Sequence, residues 1–507
     1  MINGKNLIGF TESAEGDKTF RTFNPKANLE NEWQFYEASE TEINRAASLA
    51  SKAFTTYSKI SAEKRATFLN SIADEILGLG DTLIEVYMKE SGLPEGRAIG
   101  ERGRTIGQLK MFAELIKTEM WRDSIIDAGN PGREPLPKPD LRQTAIPLGP
   151  IVVFGASNFP FAFSTAGGDT ASAFAAGCPV IVKSHPMHAG TGEMISRAIV
   201  QAAKKTHMPE GVFSNLNSSG IEVGQKLVSH PLVKAVGFTG SLRGGRALYD
   251  LAAKRKEPIP VFAEMGSINP VVVTQKALEN RGKDIATNYA KSVTLGAGQF
   301  CTNPGLILGV ASDEMNNFVK ELGSKAIEIE AQAMLHPNIY ESFHDKATVV
   351  MQQQGADIVA EYSQEVNSNF SGAKIVTVSG KDFLENNQLH QEVFGPFSLV
   401  VQCSNKAELL QVIQNLEGQL TGTIIAEEED YSKLEELISA LQDRVGRIVF
   451  NGVPTGVEVS PAMTHGGPYP ASTDSRFTAV GSGAIKRWVR PFSYQDFPKE
   501  LLPDFLK

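Results

Sequence analysis

A chain of 507 residues exceeds what one hydrophobic core organises and implies two or three domains. Hydrophobic content of 41% and charged content of 21% are those of a soluble globular protein, and no apolar run approaches the ~20 residues of a membrane span. The net charge of -9, with no basic stripe interleaved with aromatics, argues against nucleic acid as a partner and leaves small-molecule chemistry as the default.

In chain order, residues 1–38 are mixed polar and aromatic segments broken by Gly, Asn and Pro, which suit a short strand layer at the surface. Ser39 with Glu42 three residues on forms a capping box, opening a helix whose Ile43, Ala46, Ala47, Ala50, Phe54 and Tyr57 share one face. A second helix follows Ser61, a third ends near Gly92, and Arg97 to Met120 reads as a fourth. Six prolines between Asn130 and Pro150 break the helical pattern and predict an extended excursion.

Short apolar runs at Ile151–Phe154, Val180–Lys183, Val212–Leu216 and Lys234–Phe238 then alternate with stretches of helix length. That rhythm predicts a doubly wound α/β domain with a parallel sheet, which binds ligands beyond the carboxyl ends of its strands. Asn158, Lys183 and Gly240-Ser241 fall at or past those ends. A second alternation, Val271–Thr274, Leu306–Val310, Ser398–Val401 and Gly422–Ala426, predicts a second α/β unit, with the boundary near 262 and a cleft between the two. The expected division is a dinucleotide-binding domain from 1–129 and 151–262, a catalytic domain from 263–465, and oligomerisation segments at 130–150 and 480–507. The apolar, aromatic tail from Lys486, with Trp488, Phe492, Tyr494 and Phe497, is expected to pack on another subunit.

The three cysteines, Cys178, Cys301 and Cys403, are widely spaced and include no C-x-x-C pair. Their spacing argues against a disulfide framework or a zinc site and predicts no metal, and reactive thiols suit a reducing cytoplasm. Cys178 and Cys403 fit buried filler. Cys301 lies in Gly298-Gln299-Phe300-Cys301-Thr302-Asn303-Pro304-Gly305, among turn formers that would expose a thiol and let backbone N–H dipoles stabilise its thiolate. Glu264 ends the run Pro260-Val261-Phe262-Ala263; it is either a solvated carboxylate or a general base facing the cleft. Asn158, before Phe159-Pro160, is either a turn residue or an amide donor to an oxyanion. No G-x-G-x-x-G occurs, but Gly237-Phe238-Thr239-Gly240-Ser241 follows a strand and opens a helix, where backbone N–H groups can meet a phosphate.

These segments resemble the aldehyde dehydrogenase superfamily over essentially the whole chain. Ser157-Asn158-Phe159-Pro160 is similar to its W-N-F-P, Phe238-Thr239-Gly240-Ser241 is identical to its phosphate motif, and Glu264-Met265-Gly266-Ser267 is similar to E-L-G-G. Gly298-Gln299-Phe300-Cys301 matches G-Q-x-C, and Glu392-Val393-Phe394-Gly395-Pro396 matches E-x-F-G-P. The resemblance implies a Rossmann-like cofactor domain and oxidation of an aldehyde to a carboxylate through a thioester on Cys301. Asn158 and the Cys301 N–H would hold the oxyanion, and Glu264 would activate water. Glu392 and Phe394 would hold the nicotinamide ribose, and Gly240 and Ser241 the pyrophosphate. Lys183 matches the lysine on the adenosine ribose, but the glutamate that many NAD-preferring members carry three residues later is Pro186. NADP is therefore the expected cofactor, with NAD as the alternative and Ser184 and His185 as further donors.

Three segments, 101–110, 183–191 and 465–472, resemble a branch that includes α-ketoglutaric semialdehyde (2,5-dioxovalerate) dehydrogenases and an NADP-dependent fatty aldehyde dehydrogenase. The keto acid needs a cation in its tunnel; the alkyl chain needs an apolar lining. Phe159, Phe161 and Phe163 suit either. Arg104 either anchors a carboxylate or pairs with a carboxylate at the surface. Acyl transfer to CoA and a non-catalytic scaffold are rival readings; Glu264 argues against the first, and the retained set Cys301, Glu264 and Asn158 against the second. The resemblance also implies a homodimer or homotetramer.

Overall fold

A computed structural model describes residues 2–507. Two seven-stranded sheets organise it. In spatial order the first runs Val261–Glu264, Ala235–Thr239, Ile151–Phe154, Val180–Lys183, Phe213–Leu216, Asn6–Ile8 and Thr11–Ser13. Its first five strands are parallel, and Asn6–Ile8 joins antiparallel to Phe213–Leu216. The N-terminal segment was expected as a surface layer, but Asn6 and Ile8 are fully buried. Both faces of the sheet are covered. Val152, Ile181 and Val236 pack with the helix Glu40–Tyr57, while Val153, Val180 and Val182 pack with Ala62–Gly78 and Ala189–Lys205. Burial on both faces explains why these strands read as continuous apolar runs.

The second sheet runs Asp357–Glu361, Lys374–Ser379, Phe397–Cys403, Leu306–Val310, Val271–Val273, Gln419–Ile425 and Val445–Phe450. All its pairs are parallel except the antiparallel edge strand Asp357–Glu361. The chain thus passes from one sheet to the other between Glu264 and Val271. Residues 471–473 return to the first sheet: the Met265 N–H donates to Ala471 O, and the Thr473 N–H to Ala263 O.

Local signals set the helix ends. Ser39 and Glu42 form the reciprocal capping box, a feature that stabilises a helix by about 1 kcal/mol. Ser61 caps the second helix, Gly92 ends the third at φ 67°, and the fourth spans Glu95–Lys117. The proline-rich excursion becomes the strand Leu141–Pro147, which pairs antiparallel with Val489–Gln495 and with Ile125–Asp127. The tail is therefore partly satisfied within its own chain. Trp488 is fully buried and its indole N–H donates to Ser172 Oγ (2.7 Å), whereas Phe492 and Phe497 stay exposed. No helix among the described residues is long and apolar enough to cross a membrane.

Candidate active site

In the first sheet, parallel register aligns the strand ends. Phe154 pairs with Lys183 and Phe238, and Thr239 with Glu264. The loop bearing Asn158, Lys183, Gly240 and Glu264 therefore emerge on one edge. The second sheet brings Cys301 to that edge from a different kind of position, the loop between the helix Gln275–Thr294 and the strand Leu306–Val310.

That loop is held open by unusual backbone. Gly296, Ala297 and Gly298 all have positive φ, between 55° and 65°. A Cβ on Gly298 would fall 2.2 Å from Gly395 O, so only glycine lets the Cys301 loop meet the loop that carries Glu392 and Phe394. Gln299 clamps the loop: its Nε2 donates to Gly296 O (3.0 Å) and its Oε1 accepts the Leu335 N–H (2.9 Å). Asn269 Nδ2 donates to the carbonyls of Cys301 (2.9 Å) and Asn303 (2.8 Å) from behind. Neither role was assigned from sequence.

Cys301, Glu264 and His465 converge. The Cys301 Sγ lies 3.7 Å from Nε2 of His465, and that nitrogen lies 2.9 Å from Oε2 of Glu264. Both oxygens of Glu264 are buried and complete no hydrogen bond, so the carboxylate is poised for a partner. His465, 164 residues from Cys301, is a group that sequence reasoning quoted but gave no role. Its only local signal is a histidine opening a glycine-rich turn.

The thiol environment differs from the one expected. Cys301 is half-buried, and burial, then the charges of Glu264 and Glu392, push its titration well up, with Arg104 opposing. The thiol is thus held protonated rather than as a stabilised thiolate. With a raised pKa, the thiolate fraction grows about tenfold per pH unit up to that pKa. Iodoacetamide alkylation of Cys301 should accelerate correspondingly between neutral and alkaline pH; a rate flat across that range would contradict it. Cys178 and Cys403 are buried.

Asn158 is buried and donates one Nδ2–H to Gln299 O (3.0 Å), leaving the other. The backbone N–H of Cys301 has no acceptor among the described residues. Before these groups opens a cavity of about 320 Å³ lined by Arg97, Glu101, Arg104, Phe159, Phe163 and Phe300, among others, with Cys301 at its base. Glu101 is occupied by the N–H groups of Phe161 and Ala162 and by Tyr87 Oη, and it pairs with Arg97 at 3.5 Å. Arg104 is left alone. Its guanidinium lies over Phe163 (5.2 Å), its Nε and Nη2 are buried without acceptors, and no carboxylate pairs with it. The surface ion-pair reading is thereby excluded. Phe161 is also corrected: it packs in the core against Tyr87, with ring centroids 4.6 Å apart, and does not line the cavity.

The expected cofactor groups divide. Lys183 has no hydrogen-bond or ion-pair partner among the described residues, and burial pulls its ammonium down to about 8, opposed by Glu37. It is a cation in want of a ligand. Glu392 lies against the turn after Glu264: its Oε1 accepts the Ser267 N–H (3.3 Å), and a Cβ on Gly266 would fall 2.6 Å from Oε2. Glu392 and Phe394 line one small cleft. Ser241 caps the helix Leu242–Ala253. The Gly240 N–H, expected to meet a phosphate, is instead donated to Glu264 O (3.0 Å), tying the turn to the carboxylate residue. Ser184 is buried, and its Oγ has no hydrogen-bond partner among the described residues. His185 Nδ1 accepts the Met187 N–H, and burial with His188 and Lys183 holds the ring neutral, leaving Nε2–H as its donor.

The model of the aldehyde dehydrogenase family matches residues 10–478. The chain is 46% identical to alpha-ketoglutaric semialdehyde dehydrogenase 2 of Azospirillum brasilense, covering 100% of this chain and 97% of that one. It is 44% identical to alpha-ketoglutaric semialdehyde dehydrogenase of Acinetobacter baylyi, covering 100% and 96%. Among solved structures, 1-pyrroline-5-carboxylate dehydrogenase of Thermus thermophilus superposes with a TM-score of 0.82 at 21% identity, covering 97% of this chain and 93% of that one. Methylmalonate-semialdehyde dehydrogenase of Oceanimonas doudoroffii gives 0.83 at 19%, covering 98% and 99%.

Proposed function

Because the chain belongs to the aldehyde dehydrogenase family, whose members oxidise aldehydes to acids with NAD or NADP, we propose that it oxidises 2,5-dioxovalerate (α-ketoglutaric semialdehyde) to 2-oxoglutarate, with NADP preferred. The observation that carries the substrate is Arg104. An unpaired guanidinium with two buried nitrogens, in the wall of the cavity that Cys301 also lines, asks for an anion, and the carboxylate at the far end of a semialdehyde acid supplies one. A long alkyl aldehyde would leave that charge without a partner. The two relatives above, nearly half identical throughout, bear the name of this substrate.

The residues divide the work as follows. Cys301 Sγ attacks the aldehyde carbon while its proton passes toward Nε2 of His465. The new alkoxide is held by the free N–H of Asn158 and by the Cys301 N–H. Lys183, Ser241, His185, Glu392 and Phe394 would hold the nicotinamide dinucleotide beside it, with Gly240 shaping the turn. When bound, this cofactor supplies the hydride acceptor that allows a thioester to form on Cys301. Glu264 then takes a proton from water, the oxygen adds to the thioester carbon, and the acid leaves as Cys301 takes its proton back from His465 and Glu264 releases its own to solvent. Phe159 and Phe163 wall the chain of the substrate.

Replacing Arg104 by alanine removes a charged hydrogen bond worth about 1.5–3 kcal/mol, so KM for 2,5-dioxovalerate should rise roughly 10- to 150-fold. A short uncharged aldehyde should be unaffected. An unchanged KM for the keto acid would remove the anchor.

The cofactor preference rests on Lys183 without an acidic neighbour at Pro186. Installing a carboxylate by Pro186→Glu should favour ribose hydroxyls over a 2'-phosphate and move the NADP to NAD ratio of kcat/KM toward NAD by about tenfold or more. A wild-type preference for NAD would overturn the NADP reading. We further assign a cofactor domain of 1–129 and 151–264, its end moved from the expected 262 because the strand Val261–Glu264 belongs to the first sheet, a catalytic domain from there to 465, and association through 130–150 and 480–507, in a cytoplasmic homodimer or homotetramer. Exposed Phe492 and Phe497 on the strand-paired tail support that surface.

A further inference from the structure

We propose that Glu264, Cys301 and His465 form a binding site for a thiophilic divalent cation of the zinc class, and that its occupancy reversibly closes the enzyme. The cysteine spacing hid such a site because its ligands lie far apart in sequence and only the fold assembles them. One ligand atom from each residue lies within 4.8 Å of the others. The imidazole nitrogen is 3.7 Å from the thiol sulfur and 2.9 Å from the carboxylate oxygen.

Tetrahedral zinc, with bonds of about 2.3 Å to sulfur and about 2.0–2.2 Å to nitrogen or oxygen, separates its ligand atoms by roughly 3.3–3.6 Å. Shifts of a few tenths of an ångström in side-chain rotamers bring the two measured separations into that range. A second observation points to a ligand: neither buried oxygen of Glu264 completes a hydrogen bond, although Oε2 lies 2.9 Å from the imidazole nitrogen. Glu264 is 4% and His465 1% exposed, so the set is desolvated, as closed metal sites are. The cavity reaches the cluster on its sulfur side, where Cys301 lines it, while Glu264 and His465 line a separate small cleft.

As the sulfur–metal bond forms, the thiol S–H bond breaks and its proton goes to solvent; no electrons are transferred. Thiolate and carboxylate together balance the dication, with a neutral imidazole as third ligand. The binding claim stands on this geometry alone. The closure rests on the reading of Cys301 as nucleophile and Glu264 as base, since a coordinated sulfur lone pair cannot attack an aldehyde and a coordinated carboxylate cannot accept a proton from water.

Cobalt(II) titrated into the full-length, chelator-stripped protein is the probe. One equivalent per chain should produce a thiolate-to-cobalt charge-transfer band, absent in Cys301→Ser and weakened in His465→Gln, with circular dichroism confirming the fold of both. Zinc(II) should bleach the band, protect Cys301 from iodoacetamide and abolish turnover, and a chelator should restore it. A band that persists in Cys301→Ser, or zinc inhibition that leaves the thiol open to alkylation, would overturn the site. Zinc bound at the thiol with turnover intact would overturn the closure and, separately, the assignment of Cys301 as nucleophile.

Discussion

Glu264→Gln should perform one turnover and stop. The amide keeps the size and place of the carboxylate but cannot take a proton from water. A burst of NADPH equal to the number of active chains should therefore be followed by a steady rate lower by about 10²–10⁴-fold, the usual contribution of a general base. The acyl group should remain on Cys301 and be visible by mass spectrometry of the intact chain. The physical reason is local: the amide keeps an oxygen that can face His465 Nε2, which lies 2.9 Å from Glu264 Oε2, so the packing of the site is retained. Its backbone, which accepts from the Gly240 N–H, is untouched. If the steady rate survives instead, the water is activated elsewhere, and His465 at 2.9 Å becomes the base. The same burst also separates hydrolysis from transfer to CoA, because the wild-type protein should release free acid without CoA.

Cys301→Ala has the larger expected effect, loss of both burst and turnover by on the order of 10⁴-fold or more, since no other thiol lines the cavity. Cys178 and Cys403 are buried and cannot substitute. The alanine is not expected to unfold the loop, whose shape is set by the left-handed Gly296 to Gly298 run and the Gln299 clamp. Cofactor binding, followed by fluorescence of added NADPH, should therefore persist. A variant that still oxidises aldehyde at a rate near the wild type would remove the thioester from the mechanism altogether.

What was legible in the chain followed from periodicity. Ile151–Phe154, Val180–Lys183 and Leu306–Val310 are strands with the bounds that their apolar runs suggest, because strands buried on both faces have no polar residues to blur their ends. Ser39 with Glu42 and Gly92 announced helix ends through side-chain chemistry that acts within a few residues. The same range explains the failures. Asn6–Ile8 joins a buried sheet edge through pairing with Phe213–Leu216, some two hundred residues away, and three residues carry no periodic signal.

At the candidate site, Cys301, Glu264 and Asn158 stood out in the sequence because each sits in a short, turn-rich motif. The groups that act on them were not. His465 reaches the thiol across 164 residues, and Asn269 supports the loop through its carbonyls. The electrostatics were also non-local: the thiol was expected to be stabilised as a thiolate, but burial beside Glu264 and Glu392 holds its proton on. Arg104 was left undecided between surface and site; the fold leaves it unpaired, because the oxygens of neighbouring Glu101 are spent on Tyr87 and on two backbone N–H groups.

The account is tested most directly by kcat/KM with NADP for 2,5-dioxovalerate against a long-chain alkyl aldehyde, with the product of the first identified. The unpaired Arg104 predicts stoichiometric 2-oxoglutarate and NADPH without CoA, and a preference for the keto acid of about tenfold or more. A preference for the alkyl aldehyde would contradict it.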